Sequence, residues 1–145
     1  MIKICFICLG NICRSPMAEF VLKDKVKKMN LEKKFLIVSR ATSYEESGNH
    51  MHRGTKEILN KNNIPYTNHV STRLEKEDYS KYDYFICMDD SNIKNTLRIF
   101  ESDPNNKIIK LLDRDVKDPW YTGNFVETYG DIEIGTDKLL KFLLK

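Results

Sequence analysis

Cys8, Arg14 and Ser15 stand in one short run, Cys8-Leu9-Gly10-Asn11-Ile12-Cys13-Arg14-Ser15, that combines a nucleophile, a fork of donors and a hydroxyl. A guanidinium matches two oxygens of a phosphoryl group, which the point charge of lysine cannot do. Gly10 can take backbone angles that side-chained residues avoid, and Asn11 tolerates the left-handed region. With Leu9, Ile12 and Cys13 completing the loop, those two let it curl so that its N–H groups point inward. Ser15 is placed to offer its hydroxyl to the sulfur. These residue types at this spacing predict a phosphate-sized anion site that holds a nucleophile against its ligand. The plainer alternative is a buried cysteine at a strand end and an arginine on a helix surface. It leaves the glycine, asparagine, serine and Pro16 in register without a reason.

The flanking segments position the loop. Ile2 to Cys8 reads as a buried strand, and Pro16 to about Lys28 as a helix, with Pro16 suited to the first helical position. A strand running through a tight loop into a helix N-terminus aims N–H groups and a positive dipole end at one point. What stabilises an oxyanion there also favours a thiolate. Further strands are expected at Phe35–Ser39, Tyr84–Met88 and Lys107–Leu112. A helix is expected from Gly54 to Asn62, and another that Ser91 caps and that buries Ile93, Leu97 and Phe100. A last helix, about Asp131 to Leu144, carries Ile132, Leu139, Leu140 and Leu143 inward. Such alternation predicts an α/β fold with a mostly parallel twisted sheet and helices on both faces. The active site then lies beyond the carboxyl ends of the strands. The loops after Ser39, Met88 and Leu112 should gather round the Cys8 loop there.

The chain has 145 residues and a formal net charge of +3, which fits a single domain over 1–145 and demands no nucleic acid. No apolar run approaches the roughly 18 residues of a membrane span, and no signal-peptide pattern is present, so no membrane partner and a cytoplasmic location are expected. Four cysteines (Cys5, Cys8, Cys13, Cys87) in such a chain read as free thiols. Cys5 and Cys8 match Cys-x-x-Cys, but three residues apart on a strand they point to opposite faces. His50, His52 and His69 show no ligand spacing with Cys87. No metal and no other cofactor is expected.

The loop after Leu112 holds Asp113, Asp115 and Asp118-Pro119-Trp120-Tyr121. A thiolate attacking phosphorus expels an alkoxide or phenoxide that needs a proton, and the phosphocysteine then needs an activated water. One carboxyl can serve both steps. Asp118 is the candidate, because Pro119 would rigidify it, while Asp113 or Asp115 could merely end a strand. Trp120 and Tyr121 could wall a flat aryl substrate. Cys13, five positions after Cys8 in the same curled loop, is the candidate redox partner for a reversible Cys8–Cys13 disulfide.

The Cys8–Glu19 segment resembles the signature of the low-molecular-weight protein tyrosine phosphatases, and Asp118-Pro119-Trp120-Tyr121 resembles that family's general-acid loop. The likeness runs almost end to end. Ala41-Thr42-Ser43, Gly48-Asn49, Lys76-Glu77-Asp78-Tyr79 and Cys87-Met88-Asp89-Asp90-Ser91-Asn92 fall in the expected order. The resemblance implies a four-stranded parallel sheet and metal-free hydrolysis of phosphotyrosine or small aryl phosphates through a phosphocysteine. Carried over, Cys8 is the nucleophile, Arg14 the phosphate clamp, Asp118 the acid and base, and Ser15 the aid to the departing sulfur. Asn11, Ser15 and Ser39 would hold the loop. Partners would be phosphotyrosine proteins or small aryl phosphates, with the chain a monomer. Two departures stand out. The family often carries an aromatic one position after Tyr44, where Glu45 and Glu46 follow here, so Tyr44 is expected to swing over the cleft opposite Trp120. The family's loop-supporting histidine falls near His69 and Val70. Two rival readings are a thiol-dependent arsenate reductase, for which Cys87 is near a plausible position but no cysteine follows in the next helix, and a non-catalytic phosphotyrosine reader, which would have lost Cys8 or Asp118.

Overall fold

Strand β1, Ile2–Cys8, is apolar almost throughout because it is buried on both faces at the centre of the sheet. The computed structural model describes Met1–Lys145. Strands β2 (Phe35–Ala41), β3 (Tyr84–Cys87) and β4 (Ile108–Lys110) complete a sheet of order β2-β1-β3-β4, parallel throughout. Alternate side chains of β1 enter separate cores. Ile4, Phe6 and Cys8 join the larger one with Met17, Val21 and Ile132; Cys5 and Ile7 join the smaller one with Leu74, Phe85, Cys87 and Phe100. Cys5 and Cys8 therefore lie on opposite faces, as the period of two requires.

Five helices follow: α1 (Arg14–Lys28), α2 (Arg53–Lys61), α3 (Asp90–Phe100), α4 (Pro119–Thr122) and α5 (Phe125–Leu143). Helices α1 and α5 cover the larger core, and α3 the smaller. From β1 the chain goes outward to β2, then returns past β1 to β3. The connections leaving β1 and β3 thus diverge, which opens a crevice at their carboxyl ends. No helix is long and apolar enough to cross a membrane.

Four local expectations need correction. Helix α1 begins at Arg14, which puts Pro16 at its third position; the missing N–H has no helical acceptor there either. Asp89, not Ser91, caps α3: its carboxylate accepts the Asn92 N–H at 2.7 Å, while the Asn92 side chain accepts the Asp89 N–H. Leu97 is 43% exposed, and the inward positions of that helix are Asn92, Thr96 and Phe100. Two of those three are polar, which hid the stripe. Helix α5 starts at Phe125, six residues early, capped by Asn124. Gly123 ends α4 in the left-handed region at φ 70° and lets the two helices abut. Gly135 lies within α5. A Cβ there would collide with the Leu111 side chain, so the glycine lets α5 close onto the end of β4.

Candidate active site

All six carbonyls of residues 8–13 are tied down on the outside of the loop. Thr42 N–H donates to Cys8 O and Ser43 N–H to Leu9 O. The Ser71 hydroxyl donates to Gly10 O at 2.7 Å, His69 Nε2 to Asn11 O at 2.7 Å, His52 N–H to Ile12 O at 2.8 Å, and the Thr55 hydroxyl to Cys13 O at 3.2 Å. With the carbonyls pulled outward, the N–H groups of Leu9, Gly10, Ile12, Cys13 and Arg14 are left without acceptors in the protein. Asn11 supplies the left-handed kink at φ 58°, but Gly10 does not share that conformation. The glycine leaves room for a neighbour instead: a Cβ would come within 3.2 Å of Glu46 Cγ, a tight contact.

Three donors meet at Cys8 Sγ: Asn11 N–H at 3.2 Å, Ser15 N–H at 3.4 Å and the Ser15 hydroxyl at 3.0 Å. The direction of the last bond follows from its neighbours. Asn11 Oδ1 accepts from Thr72 N–H, so its amide nitrogen faces Ser15 Oγ at 2.7 Å and Ser39 Oγ at 2.9 Å. Both hydroxyls accept there and must donate elsewhere, Ser39 to Glu19 at 2.6 Å and Ser15 to the sulfur. A buried chain of five side chains, Glu19, Ser39, Asn11, Ser15 and Cys8, thus ends in a hydroxyl donated to the sulfur.

Arg14 is buried, with one nitrogen donating to Asp89 at 2.7 Å and to Val116 O at 2.8 Å. Its other nitrogen lies 3.5 Å from Asp118. Burial opposes its charge, but Cys8, Asp89 and Asp118 reverse that and raise its pKa above the ordinary arginine value. Asp118 caps α4 through the Trp120 N–H at 3.0 Å, with Pro119 at the first helical position. Trp120 is packed edge-on against His52, whose ring stacks on Phe125.

These groups line an open pocket of about 120 Å³, with Cys8, Cys13 and Arg14 among its lining together with Trp120 and Tyr121. Leu9, Gly10, Ile12 and Asp118 also line it. Tyr44 does not. Its hydroxyl donates to Glu75 at 2.9 Å and its ring lies under the Arg73 guanidinium, 4.5 Å from the centroid. The cation–π contact and the hydrogen bond hold it away, and Ser43, Glu45 and Glu46 take its place on the lining. Cys87 sits in the smaller core against Thr96, its thiol pushed up to about 12 by burial. That puts it across the sheet from Cys8 and removes it as a resolving thiol.

The family model for low molecular weight phosphotyrosine protein phosphatase matches residues 3–145. The chain belongs to that family. The low molecular weight protein-tyrosine-phosphatase PtpA of Staphylococcus aureus is 39% identical over 153 residues, covering 100% of this chain and 96% of that protein. The crystal structure of SP-PTP, a low molecular weight protein tyrosine phosphatase from Streptococcus pyogenes, superposes with a TM-score of 0.94 at 42% identity, over 100% of this chain and 95% of that one. YfkJ from Bacillus subtilis gives 0.96 at 37%, over 99% and 95%.

Sequence reasoning missed Asp89 as the partner of Arg14, and Glu19, His52, Thr55 and Ser71 as supports of the loop. Asp89-x-x-Asn92 reads as a capping box, a signal that could have singled out Asp89. The contacts of His52, Thr55 and Ser71 join distant segments and carry no spacing. His69 is the histidine that holds the loop, with its Nε2 protonated toward Asn11 O.

Proposed function

We propose that the chain is a metal-independent, cysteine-dependent protein tyrosine phosphatase that works through a phosphocysteine. The observation that carries this reading is the convergence of three donors on Cys8 Sγ inside a loop whose carbonyls are all bonded outward. Cys8 attacks phosphorus while the free N–H groups and Arg14 take the equatorial oxygens. The bond from phosphorus to the aryl oxygen breaks, and protonated Asp118 delivers its proton to that oxygen. Water then attacks phosphorus and gives a proton to the Asp118 carboxylate; the sulfur leaves with the bond's electrons, and Ser15 donates to it. Trp120 and Tyr121, both more than half exposed, offer flat faces to the aryl ring. Substrates are phosphotyrosine proteins or small aryl phosphates, the chain acts as a monomer, and its four unpaired thiols suit the cytoplasm.

Peroxide regulation belongs to the same reading. Burial, then the nearby Cys8 and Asp118, push the Cys13 thiol far above its ordinary value despite Arg14, so Cys8 is the sulfur that oxidises first. Peroxide converts it to the sulfenic acid, and the Cys13 sulfur displaces water from that to form the disulfide. The direct test is p-nitrophenyl phosphate hydrolysis with chelator present, using arsenate turnover as counter-assay. Cys8→Ser should abolish hydrolysis while vanadate still binds; undiminished hydrolysis would overturn the mechanism.

A further inference from the structure

Glu45 and Glu46 lie on the lining of the catalytic pocket, yet neither is in an ion pair. The nearby cations are engaged elsewhere. Arg14 serves Asp89 and Asp118, and Arg73 serves the Tyr44 ring, Leu74 O and Glu75. Glu46 is also held in place. Its Oε2 accepts from Asn49 Nδ2 at 2.7 Å, and its Cγ lies 3.2 Å from where a Cβ on Gly10 would be. An amide partner fixes the carboxylate and leaves its charge uncancelled. Its charge also adds to the burial that pushes the Cys13 thiol up, so it is felt at the pocket floor.

A bare pair of carboxylates beside an anion site opposes the entry of a phosphate dianion. The opposition is offset only if the substrate brings its own cation. The other side of the same pocket receives the tyrosine ring, since Trp120 and Tyr121 present exposed ring faces. We infer that Glu45 and Glu46 are specificity-determining residues that select phosphotyrosine peptides with a lysine or arginine next to the phosphotyrosine and reject those with acidic neighbours. This rests on the phosphatase reading above and names its substrate class. The phosphoryl group goes to the loop and Arg14, the tyrosine ring to Trp120 and Tyr121, and the flanking cation to the two carboxylates. Displacement of Tyr44 from the lining is what makes room for this acidic side.

The test uses two phosphotyrosine peptides of equal length, one flanked by lysine and one by glutamate, with p-nitrophenyl phosphate as a substrate without flanking charge. At low salt the lysine peptide should have the higher kcat/KM by about three- to tenfold, the range for two partly screened charge contacts, and the gap should shrink in high salt. Glu45→Gln with Glu46→Gln should bring the ratio close to one. Glutamine at 46 can still accept from Asn49, so the loop keeps its hydrogen bond while the charge is lost. The ratio is the readout, because a merely structural role would change both rates together. Glu45→Lys should invert the preference. Equal rates on the two peptides with wild-type protein, or an unaltered ratio in the double variant, would overturn the inference while p-nitrophenyl phosphate hydrolysis left the phosphatase reading standing. Loss of all turnover, p-nitrophenyl phosphate included, in the wild-type protein would overturn both.

Discussion

Asp89 performs two tasks with separate oxygens, and two substitutions divide them. Oδ1 caps α3 by accepting the Asn92 N–H, and Oδ2 accepts from Arg14 at 2.7 Å. Asparagine caps a helix about as well as aspartate. In Asp89→Asn, however, a capping Oδ1 turns the amide nitrogen toward Arg14, so two donors face each other. A hydrogen bond to a charged group contributes about 1.5–3 kcal/mol, and breaking a fully buried pair costs about 3–5 kcal/mol. Side-chain exposures of 3% for Arg14 and 19% for Asp89, with Val116 O still bonded, favour the lower range. For a chain of this length that is a Tm fall of roughly 3–12 °C. Asp89→Ala removes the cap as well and should lose about 1 kcal/mol more.

The kinetic effect has the same origin. Freed from Asp89, Arg14 is drawn toward Asp118, the carboxyl 3.5 Å away that the proposed mechanism uses for proton transfer. If the fork loses its alignment by a comparable free energy in the transition state, kcat falls about tenfold to a hundredfold. Urea or thermal unfolding gives the first number, and p-nitrophenyl phosphate turnover gives the second. A kcat for Asp89→Asn within about twofold of wild type would refute the claim that Asp89 aims Arg14. Equal stability of the Asn and Ala variants would refute the claim that it caps α3.

Asp118→Asn should slow aryl phosphate hydrolysis roughly 10²–10⁴-fold, more for poor leaving groups than for nitrophenol; an equal loss on both would rule it out as the acid. Asp113→Asn and Asp115→Asn should cost little, since Asp113 is exposed and Asp115 is paired with Lys110 outside the pocket. After mild peroxide, dithiothreitol should restore wild-type activity but much less of the Cys13→Ser activity, and mass mapping should find a Cys8–Cys13 link; full rescue of the variant would mean that Cys13 protects nothing. Burial raises the Asp103 carboxyl, but the Tyr79 hydroxyl, two N–H donors and Lys107 outweigh it and hold the pKa below the ordinary value. A depressed folded pKa adds stability that is present above the unfolded value of about 3.9 and lost as pH falls through the folded one. Asp103→Asn should therefore flatten the drop in urea midpoint below about pH 4, and an equally steep drop would show that other carboxylates carry it.

The order of elements and the nucleophile loop were legible because each rests on local pattern. Ile2–Cys8 is apolar enough to mark a buried strand, and the Cys8–Ser15 types specify the loop's chemistry without reference to any other segment. What was illegible depends on segments meeting. Three polar inward positions illustrate this: Asn92, Thr96 and Thr55 are buried because each satisfies a particular partner, so a search for apolar stripes passes over them. The reading of Tyr44 failed for the same reason. An aromatic near the cleft suggests a wall, but Arg73, 29 residues on in another loop, offers it a better place.

Gly10 gives the sharpest instance. From the sequence its value lay in backbone freedom, yet the residue in the left-handed region is Asn11, whose side chain also ties Ser39 to Ser15. The glycine instead eases the close approach of Glu46 from the loop after β2. Both requirements produce the same two letters in the sequence, and only the contact separates them. The loop is therefore shaped from two directions. Its own left-handed residue turns the chain, while donors from Thr42, Ser43, His52, Thr55, His69 and Ser71 pull each carbonyl outward. Neither alone would leave the N–H groups facing the sulfur: the kink would lack support, and the donors would find carbonyls pointing elsewhere. The proposed anion site is thus a property of the assembled fold, while its proposed nucleophile is a property of the local sequence.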